Sequence, residues 1–130
     1  MNTHMMSTRN KIAYSRFSIL SFWMFLLLLS CNKDEATPID CTGLTPTYTA
    51  DIRNILDSHC AITGCHNTFS HQQGIDLSNY QGASAASHND NFLGAIQHKK
   101  GYQPMPKDAA KLSDSNIQLL TCWVQNGSPE

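Results

Sequence analysis

Seven residues, Cys60-Ala61-Ile62-Thr63-Gly64-Cys65-His66, put two thiols and an imidazole within one short stretch of chain. Thiolate and imidazole are the side chains that ligate soft and borderline metals. In the C-x-x-C-H pattern two cysteines attach covalently to the haem vinyl groups and the histidine that follows ligates the iron. Here four residues separate the cysteines instead of two. The same donors could hold zinc, with His59 or His71 as a fourth ligand. Adjacent Cys65 and His66 are awkward around one tetrahedral ion, however, and structural zinc motifs come as two separated pairs. A Cys60–Cys65 disulfide in a non-redox structural protein is the third possibility.

A haem iron needs a second axial ligand, and its chemistry sets the function. Met1, Met5, Met6 and Met24 lie in the N-terminal segment, which leaves Met105 as the distal candidate. Met105 sits between Pro104 and Pro106, whose fixed φ makes a stiff loop able to hold a thioether at little ordering cost. Sulfur ligation raises the reduction potential relative to two histidines and suits electron transfer. His59, His71, His88 and His98 compete for the same position. The sequence shows no Ser/His/Asp set and no paired carboxylates. Asp108 and Asp114 read as solvated acids, so an electron carrier is expected rather than an enzyme.

The N-terminal segment gives the compartment. Arg9, Lys11 and Arg16 form a positive region, followed over residues 17–29 by an apolar run broken only by Ser18 and Ser21. Thirteen residues are too few to span a bilayer core of ~30 Å, so residues 1–30 read as a signal peptide. The run closes on Leu28-Leu29-Ser30-Cys31, which resembles the bacterial lipobox. That resemblance implies that Cys31 is lipidated and becomes the first mature residue. Asn32-Lys33-Asp34-Glu35 resembles the Lys-plus-acidic signal that directs some Bacteroidetes lipoproteins to the cell surface, and a solvated charge run explains it equally. The expected location is the outer membrane of an exported bacterial lipoprotein, on its periplasmic or surface face.

Export changes the charge and the cysteine chemistry. Of nine Lys/Arg, three leave with the signal, and the remaining six face ten Asp/Glu, a mature charge of about −4. Such a balance argues against nucleic acid and favours basic or neutral redox-partner proteins. An oxidising compartment lets disulfides persist. Besides Cys31 the chain has Cys41, Cys60, Cys65 and Cys122, which allow three pairings. If haem takes Cys60 and Cys65, only Cys41–Cys122 remains, adding ~4 kcal/mol on the chain-entropy model. Two buried free thiols are the alternative.

The positioning elements read as helices. Residues 31–47 are a tether without periodicity, and 48–130 form one domain. A first helix is expected from Thr49 as N-cap, with Asp51 in its first turn and Ile52, Ile55, Leu56 and His59 on its inner face. It delivers Cys60 at its end. Residues 68–79 read as loop, broken at Gly74. Over 80–97 the small and polar residues leave one short helix, near 91–98. Residues 102–107 form the proline-stiffened loop. The last helix is capped by Ser113, carries Ile117, Leu120 and Val124 as a stripe widened by Leu119, Cys122 and Trp123, and stops at Gly127 and Pro129. No strand pattern and no internal repeat is visible.

Taken together, residues 48–127 resemble the small class I cytochrome c-like domains of exported proteins and lipoproteins of Bacteroidetes and Planctomycetes. The matching pieces are 52–56 before the cysteines, then Cys60, Cys65 and His66. After them come Gly74-Ile75-Asp76-Leu77-Ser78-Asn79-Tyr80, Met105-Pro106, and 120–127 around Trp123. The resemblance implies an all-α class I cytochrome fold and one covalent haem c on Cys60 and Cys65. It also implies axial ligation by His66 and Met105. The wider cysteine spacing departs from the common pattern.

Overall fold

The computed structural model describes residues 38–130, and Pro38–Glu130 is one compact unit. The expected signal peptide, the expected lipidation site Cys31 and the charged residues after it lie outside the described residues. Within those residues the chain is all-α, with no strand. None of its helices is long and apolar enough to cross a membrane.

The first helical segment opens with a π-helical turn, Tyr48–Ile52, that continues into α1, Arg53–His59. Its cap is Thr47, two residues before the expected Thr49. The Thr47 hydroxyl accepts from the Ala50 N–H (3.3 Å), and the Asp51 carboxylate accepts from the Thr47 N–H (3.0 Å). Two orphan donors of the helix start are thereby satisfied reciprocally, which is why the chain turns there. Tyr48, Ile52, Ile55 and Leu56 form the buried face. His59, expected on that face, is exposed, because the helix ends and its last turn faces outward.

After a run of turns that includes a 3₁₀ turn, Gln72–Gly74, come α2, Tyr80–Ser87, and α3, Asn91–Ile96. The sequence predicts only the second of these. Propensity scores Gly82, Ser84 and Ser87 against a helix, but tertiary contact decides α2. Asn79 caps it by accepting from the Gly82 N–H (2.9 Å), and Gly82 lies against the carbonyl of Asp76, where a Cβ would stand 1.9 Å from that oxygen. Only glycine permits so close an approach. The long C-terminal helix α4, Asp114–Gln125, matches its expected N-cap, Ser113, whose hydroxyl accepts from the Asn116 N–H (3.2 Å).

The core forms where α4 meets the π-turn and α1. Ile52, Leu56, Leu120 and Trp123 are fully buried, and the Trp123 ring lies tilted with its centroid 6.5 Å from that of Tyr48, which in turn lies 5.5 Å from Tyr80. Each such aliphatic side chain contributes about 1.5–3 kcal/mol by leaving water. Gln97 ties the end of α3 to α4 by donating to Thr121 Oγ1 (3.0 Å).

Both ends of the unit are fastened to this core. Residues 38–47, the described part of the expected tether, run along α4. Cys41 and Cys122 form a disulfide, Gln118 donates to the Asp40 carbonyl (2.8 Å), and Asn126 donates to the Leu44 carbonyl (3.1 Å). At the other end the Pro129 carbonyl accepts from both the Tyr48 N–H (2.9 Å) and Trp123 Nε1 (2.7 Å).

Candidate functional site

Helix α1 delivers the first thiol. Cys60 is its C-cap, held by its N–H on the Leu56 carbonyl (2.9 Å). The following turns bring the chain back on itself. The Cys65 N–H donates to the Ile62 carbonyl (3.0 Å) and the His66 N–H to the Cys60 carbonyl (3.0 Å). Gly64, at φ +83°, supplies the left-handed residue this reversal needs. Its N–H is taken up by Ser70 Oγ (2.9 Å). The four intervening residues therefore fold into a tight, hydrogen-bonded turn that sets Cys60, Cys65 and His66 on adjoining backbone.

Cys60 and Cys65 are both half-buried free thiols, although Cys41 and Cys122 are bridged in the same molecule. Burial, reinforced by the neighbouring Cys65, pushes the Cys60 thiol up to about 11, so it is a neutral thiol at ordinary pH. The His66 ring has its Nδ1 buried with no hydrogen-bond partner among the described residues. A buried imidazole nitrogen without a partner costs about 1–3 kcal/mol, a penalty that only a group reaching Nδ1 itself would relieve.

A second layer holds His66 from behind. The Leu77 N–H donates to the His66 carbonyl (2.8 Å), and Leu77 itself is buried. Its neighbour Asp76 collects the Ser78 N–H (2.9 Å), the Ser78 hydroxyl and Asn79 Nδ2 (2.9 Å), with His71 Nε2 at 3.8 Å. The Ser78 hydroxyl and N–H, with a smaller contribution from His71, hold the Asp76 carboxyl below its usual range.

Met105 lies on a separate loop and is half-buried. Its N–H donates to the Ala95 carbonyl at the end of α3 (3.0 Å), and its carbonyl accepts from His98 Nε2 (3.0 Å). A groove of about 520 Å³ runs between the end of α1 and the segment that follows Met105, lined by Ser58, His59, Ile62, Pro106, Leu112 and Asn116 among others. None of the four predicted site residues lines this groove. Its walls are their sequence neighbours: Ile62 from between the two cysteines, and Pro106 from beside Met105.

Three of the histidines that compete with Met105 are engaged elsewhere. His71 faces Asp76, His88 Nδ1 meets the Ser84 carbonyl (2.6 Å), and His98 bonds Met105. No three His, Cys, Asp or Glu side chains among the described residues come close enough to share a metal ion, so the zinc set of Cys60, Cys65, His66 and His59 or His71 is not assembled. The donor types present are those a covalent haem would use. Two thiols stand unbridged among the described residues, the adjoining imidazole has an unsatisfied buried nitrogen, and Met105 is carried on a loop whose backbone is braced.

The sequence missed the braces: Leu77 acts through its backbone N–H, while Asp76 and His98 act through side chains whose partners no motif marks. Compared with family models, with characterised proteins and with solved structures, the chain matches none.

Proposed function

We propose that the chain is a membrane-anchored, mono-haem c-type cytochrome with a class I-like fold, and that it carries electrons. The observation that carries this reading is the contrast among four cysteines of one exported domain. Among the described residues Cys41 and Cys122 are bridged, while Cys60 and Cys65 stay free beside a histidine whose buried Nδ1 has no partner.

In this reading Cys60 and Cys65 hold haem c through thioether links, and His66 and Met105 are the axial ligands. The bound haem supplies one-electron chemistry at its iron. The chain does the rest. The turn over 60–66 fixes both thiols and the imidazole on one rigid stretch, which lowers the ordering cost of attachment. Leu77 and Asp76 restrain the His66 backbone. The helices shed water from the interior, which tunes the potential. Lys99, Lys100, Lys107 and Lys111 are all exposed on the segment that carries Met105, making that stretch locally basic on an acidic chain. That local charge supports redox partners with an acidic docking surface, against the neutral or basic ones suggested by net charge.

The test is expression of the full chain in a host that matures c-type haem, followed by membrane extraction. A haem-stained denaturing gel with an absorption spectrum and metal analysis should give one covalent haem and one iron per chain. A colourless product with unmodified Cys60 and Cys65 overturns the reading, and stoichiometric zinc would replace it with a structural metal site.

A further inference from the structure

His98 occupies an unusual position for a residue with no assigned role. Its backbone lies in the left-handed region at φ +55°, which costs a non-glycine residue energy unless its surroundings fix it. The surroundings here are specific. Its N–H donates to the Ala95 carbonyl (3.2 Å), and its Nε2 lies 3.0 Å from the Met105 carbonyl. A carbonyl oxygen can only accept, so Nε2 carries the proton and donates. The nitrogen that meets Met105 therefore has no lone pair left for a metal.

Around this bond the loop is drawn onto α3. The Met105 N–H reaches the same Ala95 carbonyl (3.0 Å), and the Lys99 N–H reaches the Gly94 carbonyl (3.0 Å). The Tyr102 ring lies so near Gly94 that a Cβ there would stand 2.4 Å from Tyr102 Cδ1. Both backbone polar groups of Met105 are thus fixed, the N–H by α3 and the carbonyl by His98.

We infer that His98 is a positioning residue for Met105. By donating from Nε2 to the Met105 carbonyl it closes the 99–105 loop and holds in place the backbone from which the thioether projects. What Met105 then does rests on the cytochrome reading, whereas the clamp is a property of the loop itself. A methionine free to swing away exchanges its axial position with water or another side chain. A carbonyl anchored on the residue itself removes the part of that freedom that comes from movement of the loop backbone.

The experiment compares wild type, His98→Ala and His98→Gln in the full haem-loaded chain. Glutamine offers an amide donor at a reach similar to Nε2, and both replacements bear the same left-handed backbone, so strain cancels between them. Two readouts are taken: amide hydrogen exchange across 99–106, and the intensity of the sulfur-to-iron charge-transfer band. His98→Ala should exchange roughly fivefold faster over the loop, the effect of one lost hydrogen bond, and lose most of the band. His98→Gln should restore both toward wild type. Wild-type exchange or a wild-type band in His98→Ala overturns the inference, as does a glutamine variant no better than alanine. If the wild-type chain carries no haem, the cytochrome reading falls, and the exchange comparison alone judges the clamp.

Discussion

The Leu77 N–H donates to the carbonyl of His66 at 2.8 Å, so a buried core residue is hydrogen-bonded to the backbone of the proposed iron ligand. Leu77 cannot move without moving His66. Its own position is set by the Asp76 turn on one side and the start of α2 on the other. The stretch from Gly74 to Tyr80 is thus a brace that links the 60–66 turn to the helical core.

Gly82→Ala tests that brace. In an ordinary helix the change would stabilise by about 1 kcal/mol. Here the added Cβ would meet the Asp76 carbonyl at 1.9 Å, and backbone cannot swing aside as a side chain can. The clash wins: a net destabilisation of about 1–3 kcal/mol is expected in chemical denaturation. A variant as stable as wild type would show that the turn is not packed on α2.

Asp76→Asn adds a pH signature. The folded carboxyl is held below its ordinary 3.8, chiefly by the Ser78 hydroxyl and N–H. Such a group stabilises the fold above 3.8, and that contribution disappears as pH falls through the lower folded value. Wild type should therefore lose stability relative to Asp76→Asn as pH drops from about 5 through 3 and below. Parallel acid-denaturation curves for the two proteins would contradict the assignment.

The Cys60 thiol gives the opposite sign at the alkaline end. Its folded value of about 11 exceeds the ordinary 9.0, so the fold favours the protonated thiol. That preference is fully present below pH 9 and is lost between pH 9 and about 11, at a cost of about 2–3 kcal/mol. In haem-free protein, alkylation of Cys60 at pH 8 should be at least tenfold slower than in denaturant. Equal rates would place the thiol in solvent.

How much of this was legible beforehand follows from which atoms carry each contact. α4 and its Ser113 cap were readable because an apolar stripe and a capping residue are side-chain signals. The all-α class was readable from the same periodicity. α2 was not, since its small residues look like helix breakers until Gly82 is seen against the Asp76 carbonyl. Thr47 took the cap from Thr49 because Asp51 could return a bond to it, a reciprocal geometry that propensity alone does not rank. Residues 38–47 read as tether because a disulfide and two side-chain bonds to carbonyls leave no periodic trace. At the candidate site the donor types were legible, and the backbone partners of His66 and Met105 were not. Net charge likewise hid four lysines gathered within residues 99–111.

The C-terminal tail is another contact without a sequence signal. Removing residues 127–130 would orphan the Tyr48 N–H and Trp123 Nε1, which both donate to the Pro129 carbonyl, and would open the buried Ser87–Ser128 hydroxyl pair (2.6 Å). Two buried donors left unpaired cost about 1–3 kcal/mol each. The truncated domain should fall in Tm by ten degrees or more, on the ~4–8 °C per kcal/mol of a domain this size. A shift of a degree or two would mean that the tail is dispensable.

Met105→Ala separates the proposed ligand from the loop that carries it. The substitution deletes the thioether but leaves the Met105 backbone, so the bonds to Ala95 and His98 can persist. The side chain is only half-buried, and its truncation should cost less stability than the ~2–5 kcal/mol typical of a core methionine. With the loop in place, spectral change reports the sulfur itself. The sulfur-to-iron band should vanish, and the midpoint potential should fall by on the order of 0.1 V or more, within the ~0.8 V range that axial ligands set. An unchanged spectrum would remove Met105 from the iron. Among the four competing histidines the assignment would then pass first to His59, which borders the groove, whereas His71, His88 and His98 are already engaged.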